Sequence, residues 1–312
     1  MKTRIKHVPL FISVTNESVP YLAVTLKSVS ENLKGERTVD VRVLTSCLAT
    51  YNQRKIRHMN LKGIEISIVD VNSRIEDYRA DLEERLGGFY GEESFYPFFI
   101  AEMYPRISKA MYVECGTLIR EDIGELYDAE LGDGIIGGVL KNDEVEKRLT
   151  AYRDSWVGVE SDKYVDISVL LMNFTLLRKY RIEDRFIRLL TGYNFDTVSA
   201  AGDYMNFLCQ GRVSYLDSLW KASDKDANSD KVVAFAPYRL PWRYVNIAYA
   251  DEFWDTARRT PFYKDVRDDY INFNEEEKMK ARELLERLIS HAQRLVNADG
   301  GFRRVLGDNY LL

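Results

Sequence analysis

The stretch VPLFISV at residues 8–14 predicts a buried strand, because it is short, apolar and rich in branched side chains. Pro20 follows and favours the start of a helix over residues 21–32. The next predicted elements are a strand over 41–44, a helix over 50–59 and a strand over 64–69. This alternation is typical of a parallel sheet with helices on its faces. Ligands of such sheets bind at the carboxyl ends of the strands.

The middle of the chain continues this pattern and places polar residues where a strand ends. The stretch KAMYV at 109–113 predicts a strand, and Glu114 and Gly116 come directly after it. Asp122 is a candidate cap for a helix over 120–131. The remaining predictions are strands over 135–140, 165–174 and 231–237 and a surface loop over 222–231. These elements give an α/β fold class with a central, mainly parallel sheet flanked by helices.

Composition sets limits on partners and compartment. The 312 residues include 44 basic and 49 acidic ones, for a net charge of −5, which argues against non-specific binding of nucleic acid. No apolar run approaches the roughly 20 residues of a membrane span, so we expect no transmembrane segment. Cys47, Cys115 and Cys209 lie in apolar stretches without metal-ligand spacing, as free thiols in a reducing compartment do. We therefore expect a cytoplasmic protein, with peripheral membrane contact left open.

The last forty residues differ in character from the rest. Asn274 and Glu277 resemble a capping box, and the apolar residues that follow mark one face of a long helix ended by Gly300 and Gly301. The predicted domains are therefore residues 1–270 and a C-terminal amphipathic helix and tail over 271–312. We favour docking of this helix on its own domain. The alternative is an interface for a second copy of the chain or for a partner protein.

Ordered segments of the chain resemble glycosyltransferase family 8. They include VPYLAVTLKSV at 19–29, FFIAEMYP at 98–105, DIGELYD at 122–128, VLLMN at 169–173 and PW at 241–242. The resemblance spans roughly residues 8–265. It implies the nucleotide-sugar transferase fold known as GT-A, similar to that of lipopolysaccharide galactosyltransferases and glycogenin, here with a C-terminal helical extension.

The resemblance also implies a reaction, the retaining transfer of a hexose from a UDP-sugar to a glycan acceptor. In the family a manganese ion bridges the diphosphate and neutralises the charge that grows on the leaving group. Its ligands come from two aspartates in Asp-x-Asp and from one histidine late in the domain. These oxygen and imidazole ligands suit a divalent ion of this kind.

The positions that the resemblance assigns to the metal and the diphosphate have changed. Glu114 keeps a carboxylate at the first aspartate position, whereas Gly116 offers no ligand at the second. Ala234 stands in place of the histidine, and Leu240 in place of the lysine that binds the diphosphate. The histidines of the chain lie at positions 7, 58 and 291, outside the late part of the domain. A lone carboxylate binds manganese poorly, so we expect no metal ion and no cofactor.

The nucleotide positions have changed as well. The acidic opening that binds uracil and ribose in the family aligns here with Thr15, Asn16 and Glu17. Pro97 replaces an arginine. Arg239, next to Leu240, is a candidate clamp for a diphosphate, and a solvated surface arginine is the simpler interpretation.

The sugar positions keep carboxylates in an altered frame. Asp166 begins the stretch DIS that replaces the family's Asn-x-Gly, and Asp203 ends the stretch AGD that replaces Asp-Gln-Asp. The candidate catalytic residues are therefore Glu114, Asp166 and Asp203. Glu114 also has a structural explanation as a solvated or capping carboxylate, and Asp203 as a helix cap. If Asp166 is buried beside Glu114, the like charges would raise the pKa of one of them.

Two functional hypotheses follow from these substitutions. The first is a catalytically degenerate glycosyltransferase that binds a glycan or scaffolds a partner transferase in the assembly of bacterial-type glycans or glycoproteins. The second is an active hexosyltransferase that uses a UDP-sugar without manganese, with Arg239 replacing the cation. An enzyme of another class finds no support, because the chain has no glycine-rich phosphate loop and no Ser/His/Asp set.

Overall fold

The computed structural model describes residues 7–86, 89–141, 144–221, 230–307 and 310. Most of the predicted surface loop over 222–231 lies outside the described residues. The chain divides into two compact units. The first unit draws on residues 1–72, 110–130 and 217–278, and the second on residues 73–109, 131–216 and 279–312.

The strands support the predicted α/β class. They are β1 (His7–Ser13), β2 (Thr38–Thr45), β3 (Ile64–Asp70), β4 (Lys109–Val113), β5 (Leu118–Ile119), β6 (Ile136–Gly138), β7 (Val169–Asn173), β8 (Val213–Tyr215) and β9 (Val232–Val233). In the first unit the order is β3-β2-β1-β4 and each neighbouring pair is parallel. In the second unit the order is β7-β6-β8, where β6 runs antiparallel to β7 and parallel to β8.

Helices follow the strands in the alternation that the sequence predicts. The α-helices are α1 (Val19–Asn32), α2 (Thr50–Arg57), α3 (Asn72–Ile75), α4 (Arg79–Glu84), α5 (Ile100–Met103), α6 (Ile123–Asp128), α7 (Glu144–Arg148), α8 (Thr150–Tyr152), α9 (Phe174–Lys179), α10 (Ile182–Gly192), α11 (Ala201–Cys209), α12 (Ala250–Arg258), α13 (Tyr263–Asn272), α14 (Glu275–Leu295) and α15 (Phe302–Leu306). None of the helices within the described ranges is both long and apolar enough to cross a membrane.

The first unit is built on the apolar strands at the start of the chain. Leu10 of β1 lies between Val41 of β2 and Met111 of β4, and all three side chains are fully buried. Pro20 lies in the first turn of α1, where its missing N–H breaks no helical hydrogen bond. Asp122 caps α6 as predicted, since its carboxylate accepts the N–H of Gly124 at 2.9 Å.

The second unit has an aromatic core. Phe186 of α10 stacks on Phe98 with ring centroids 3.9 Å apart and meets the ring of Tyr204 edge-on at 5.4 Å. Pairs in these geometries stabilise beyond the apolar area that they bury, by roughly 0.5–1.5 kcal/mol each. Arg178 of α9 donates hydrogen bonds to the carbonyl of Ala101 in α5 and to that of Ile107 in the loop that follows, at 2.8 and 3.0 Å.

Two predicted strands are shorter in the structure. The prediction over 231–237 reduces to β9, which pairs antiparallel with β5 and leaves the longer run to turns around Pro237. The prediction over 165–174 begins at Val169, because residues 166–168 turn and only Val165 makes an isolated bridge to Leu140. The apolar character of both stretches reflects burial in loops as well as in strands.

The second half of α14 is docked on the second unit, as we favoured. Ile289, Ala292 and Leu295 are buried, whereas Met279 near the helix start is 55% exposed. Glu286 forms a two-pronged ion pair with Arg148 of α7 at 2.7 and 2.8 Å. The helix ends at Leu295, before the predicted glycine pair, and the Gly301 that follows begins α15. The predicted domain boundary after residue 270 and the predicted partner interface stay predictions.

Candidate functional site

The turn after β4 is tied to the start of α1. Gly116 adopts a φ of +88°, a conformation that favours glycine. Its N–H donates to the hydroxyl of Thr25 at 3.0 Å. The thiol of Cys115 donates to the carbonyl of Ser18 at 3.1 Å. Glu114 directly precedes these two residues, so the turn that follows it is fixed by both hydrogen bonds.

The indole of Trp242 lies against Gly116. A Cβ atom built on Gly116 would be 2.7 Å from Cη2 of Trp242, closer than real Cβ atoms approach. Trp242 is itself held by stacking on Tyr21, with ring centroids 4.1 Å apart, and by contact with Phe253 at 5.0 Å. Trp242 is thus a packing residue, and any side chain at position 116 would require its ring to move.

Tyr21 extends this support to helix α13. Its hydroxyl donates to the carboxylate of Asp269, and burial together with that carboxylate raises the pKa of Tyr21 far above its ordinary value. Tyr21 is therefore a neutral donor at every physiological pH. The stack that holds Trp242 does not depend on the charge of the tyrosine.

A cavity of about 140 Å³ lies beside this turn in the first unit. Its walls are formed by Glu114, Cys115, Gly116, Thr117, Ala234, Phe235, Pro237, Leu240 and Trp242. The structure thus brings together positions 114, 116, 234 and 240, which the family resemblance assigns to the metal ligands and the diphosphate lysine. The roles that the resemblance gives to these positions stay predictions.

The residues at this cavity do not fit a manganese ion. Glu114 is the one carboxylate among the residues that line it, and Ala234 and Leu240 are apolar. Within the described ranges, no group of three His, Cys, Asp or Glu side chains is placed to hold a metal ion. Such an ion needs several oxygen or nitrogen ligands at short range.

The predicted nucleotide residues form a closed turn after β1. The N–H of Thr15 donates to the hydroxyl of Ser18 at 2.9 Å, and that hydroxyl donates back to the carbonyl of Thr15 at 3.1 Å. Asn16 accepts the N–H of Ala49 at 2.8 Å, just before α2 begins. Glu17 is exposed. The side chains of Thr15 and Asn16 thus have structural partners, and their assignment to a nucleotide stays a prediction.

Arg239 lies in the turn that leads to Leu240. Its N–H donates to the carbonyl of Ala236 at 2.8 Å, and its side chain is partly exposed. The cavity beside Glu114 includes Leu240 in its wall and not Arg239. A clamp on a diphosphate by Arg239 stays a prediction.

In the second unit, Asp166 makes a local turn. It is 8% exposed, and one carboxylate oxygen accepts both the N–H and the hydroxyl of Ser168, at 2.8 and 2.5 Å. Its own N–H donates to the carbonyl of Val139 at 2.8 Å. These contacts explain why the chain turns before β7.

Asp203 is a firmly held carboxylate of the second unit. It is fully buried, and it accepts hydrogen bonds from the hydroxyls of Tyr152 and Tyr164 at 2.7 and 2.8 Å. It also accepts the N–H groups of Val198 and Ser199 at 3.1 and 2.9 Å. Burial, and then the charge of Asp203, raises the pKa of both tyrosines well above 10.

These bonds hold a strained turn. Ala200 has φ +42° and ψ −118°, a conformation that costs a non-glycine residue about 1–3 kcal/mol. Asp203, three residues later in α11, fixes the amides on the other side of Ala200. The next position is also crowded, because a Cβ on Gly202 would lie 3.1 Å from the hydroxyl of Tyr164. Asp203 is therefore not the predicted helix cap: Ala200 is the N-cap residue of α11, and Asp203 lies within the helix and holds the turn before it.

Sequence reasoning missed the partners of Asp203. Tyr152 and Tyr164 lie about 40 to 50 residues away along the chain. The guanidinium of Arg153 lies 4.2 Å from the centre of the Tyr164 ring and forms a buried ion pair with Glu146. With 20 tyrosines in the chain, nothing in the local sequence distinguishes these two.

Comparisons with known proteins agree with the fold. The fold is that of the GT-A glycosyltransferases. Residues 9–234 match the model of glycosyl transferase family 8, and the chain belongs to that family.

Individual relatives are distant. General stress protein A of Bacillus subtilis (strain 168) is 21% identical over 166 residues, which cover 52% of this chain and 54% of that protein. The apo structure of the bifunctional glycosyltransferase WbbM has a TM-score of 0.69 at 16% identity, over 86% of this chain and 52% of WbbM. The galactosyltransferase LgtC, solved with donor and acceptor sugar analogs, has a TM-score of 0.67 at 18% identity, over 81% of this chain and 96% of LgtC. The chain spans about half the length of the curated relatives it matches.

Proposed function

We propose that this family 8 protein has lost metal-dependent sugar transfer and acts as a glycan-binding or scaffolding protein in glycan or glycoprotein assembly. The observation that carries the proposal is the indole of Trp242 against Gly116. If only the metal-ligating side chain at position 116 were missing, one substitution could restore it. Here a buried, stacked ring lies against Gly116, so a side chain at this position would also require Trp242, part of the PW stretch that resembles the family, to move.

The electrostatics of the cavity support the same proposal. A UDP diphosphate brings about two negative charges, and burying charges without partners is costly. The cavity offers the carboxylate of Glu114, and Leu240 replaces the family's lysine.

The second unit supports it from another direction. A carboxylate that serves the sugar must have an oxygen available to the substrate. Asp203 has four donors on its two oxygens and no exposure to solvent. We infer that it maintains the turn around Ala200 and that its catalytic role has gone.

What remains for function is binding. LgtC was solved with sugar analogs, and by likeness we propose a glycan as the ligand of this chain. The exposed start of α14 around Met279 is the surface that we propose for a second copy or for a partner transferase. We place the protein in the cytoplasm, where UDP-sugar transferases of this kind would meet it.

Thermal denaturation with UDP and UDP-hexoses, with and without manganese, tests the loss of chemistry. We expect no shift of the melting temperature for any combination. A ligand at 100 times its Kd would add about 2.7 kcal/mol and raise the melting temperature by a few degrees. A manganese-dependent shift would overturn the proposal. A shift without manganese would favour the metal-independent hexosyltransferase, and Arg239→Ala would then be expected to abolish it.

A partial reconstruction sharpens this test. The variant Gly116→Asp/Ala234→His restores two ligand types, and we expect it to gain no manganese stabilisation because Trp242 still fills the space. Adding Trp242→Leu removes the obstacle. Manganese binding by the double variant alone would show that the indole is no barrier and would contradict the argument from packing.

A further inference from the structure

Strand β3 forms one edge of the sheet in the first unit. Its seven residues, Ile64–Asp70, pair with β2 without interruption, and β2 is its one neighbour in the described part of the sheet. The N–H of Val71, directly after β3, donates to the carbonyl of Thr45 at 3.0 Å. Because the residues that bond to a neighbouring strand alternate along the chain, the odd-numbered residues of β3 bond to β2 and the even-numbered residues face outward.

The outward-facing backbone of β3 is available for pairing. Ile66 and Ile68 each present an N–H and a C=O on this side, and no hydrogen bond reaches these groups from the residues that the structure describes. Natural proteins protect such edges with proline, bulges or lysine. β3 contains no proline and no lysine, its register with β2 has no bulge, and exposed Glu65 and Ser67 alternate with half-buried isoleucines. The strand is therefore a template for a further strand.

We propose that β3 pairs antiparallel with β3 of a second copy of this chain, with Ile66 opposite Ile66. In this register Ile64 lies opposite Ile68, so outward-facing residues meet and exchange N–H···O hydrogen bonds. The contact uses the same surface on both copies, so it closes at a dimer and leaves neither edge open. This inference goes beyond the proposed function and leaves the start of α14 for a partner transferase.

Exposed charges favour this register. Glu65 lies opposite the neutral Ser67 of the second copy, whereas a slip by two residues would oppose Glu65 to Glu65, and like charges directly opposite each other destabilise a strand pair. The turn with Lys62 of one copy meets the end of β3 in the other, where Asp70 lies. Both side chains are exposed, and among the described residues neither has an ion-pair partner. The two ends of the strand are thus complementary in charge when two copies run antiparallel.

Self-association of the full chain tests this inference. We expect sedimentation velocity to show a rise from monomer to dimer mass in the micromolar range, as for a small and transient interface. Amide hydrogen exchange of Ile66 and Ile68 should slow as the dimer forms, because their N–H groups become hydrogen-bonded. A monomer at every concentration, or exchange at these residues that does not change on dimerisation, would overturn the inference.

Position 67 gives two substitutions with opposite expected effects. Ser67→Glu places a carboxylate opposite Glu65, and by symmetry the repulsion occurs twice, so we expect the dimer to weaken about tenfold. Ser67→Lys places an ammonium group there, and we expect the dimer to tighten about threefold. Ser67 is exposed, and the melting temperature of each variant checks its folding. The same effect from both substitutions, or none, would contradict the register.

A charge swap tests the ends of the strand. Lys62→Glu places a carboxylate near Asp70 of the second copy, and we expect the dimer to weaken about fivefold. The double variant Lys62→Glu/Asp70→Lys restores opposite charges, and we expect it to recover the dimer. A folded double variant that associates no better than Lys62→Glu would contradict the pairing of these ends.

Met279→Lys is the matched control on another surface, because Met279 is 55% exposed at the start of α14. It should leave self-association unchanged. Loss of association in Met279→Lys, with Ser67→Glu unaffected, would assign the contact to α14 and overturn the inference. The response to UDP-sugars is measured separately, so a failure here leaves the proposed function standing.

Discussion

The two units differ at the positions that the family resemblance assigns to its site. At Gly116 in the first unit there is no carboxylate, and the indole of Trp242 lies against the backbone. At Asp203 in the second unit the carboxylate remains, and four donors hold it inside the protein. The comparison teaches that a retained residue type is weak evidence for a retained role. What decides is whether its polar atoms are free to meet a ligand.

The largest expected effect is at Asp203. Asp203→Ala would leave two tyrosine hydroxyls and two N–H groups buried without an acceptor. We expect the free energy of unfolding, measured by urea denaturation, to fall by about 3–5 kcal/mol. Asp196→Ala, at a carboxylate that is 52% exposed, is the control and should lower it by less than about 1 kcal/mol. Similar effects at the two positions would remove the contrast between the units.

The contact between Gly116 and Trp242 can be tested by adding a single methyl group at position 116. Gly116→Ala combines a positive φ with the clash against Trp242, and we expect a loss of about 3 kcal/mol. Gly35→Ala is the matched control, because Gly35 has φ +72° and no atom within 4 Å of the added Cβ. It should lose only about 1 kcal/mol. Equal losses of stability in Gly116→Ala and Gly35→Ala, measured by thermal denaturation, would mean that the indole of Trp242 moves aside at no cost.

Glu183, a carboxylate of the second unit, predicts that the free energy of unfolding depends on pH. Burial raises the pKa of Glu183 from 4.5 to about 7, although Arg74 opposes the shift. A raised acid pKa stabilises the protonated folded state. The contribution is therefore complete below about pH 4.5 and is lost as the pH rises through about 7.

We expect the loss to be on the order of 2 kcal/mol after allowance for solvent screening. Glu183→Gln should flatten this part of the stability curve, measured by urea denaturation between pH 4 and pH 8. Glu160→Gln, at a carboxylate of the same unit that is 67% exposed, serves as control and should leave the slope in place. An unchanged slope in Glu183→Gln would assign the dependence to another group.

The smallest effect is expected where charges are exposed. Arg148 and Glu286 are 43% and 59% exposed, so their ion pair should contribute about 0.5 kcal/mol or less in a double-mutant cycle. Docking of α14 should instead depend on Ile289, whose truncation to alanine we expect to cost about 2–4 kcal/mol. A larger contribution from the Arg148–Glu286 pair than from Ile289 would mean that exposed charges, and not apolar burial, dock α14.

Much of the first unit could be predicted from the sequence. Its strands are short apolar runs, and the predicted positions of β1, β2 and β3 agree with the structure to within a few residues at each end. Periodicity and branched side chains carry this information locally. Asp122 was identifiable as a cap for the same reason, since its partner Gly124 is two residues away.

The contacts that decide the site could not be predicted in this way. Trp242 meets Gly116 across more than a hundred residues of sequence, and nothing near either residue indicates the other. The resemblance placed positions 114, 116, 234 and 240 together, yet it gave no indication that a ring fills the space. Asp203 likewise resembled a retained functional residue because its four donors come from distant or irregular segments.

The ring against Gly116 also limits what one substitution at this position can achieve. An aspartate at position 116 would meet Trp242 before it met any metal, and the protein would lose stability without gaining a ligand set. A carboxylate could be accommodated there only with a second change that lets the ring move.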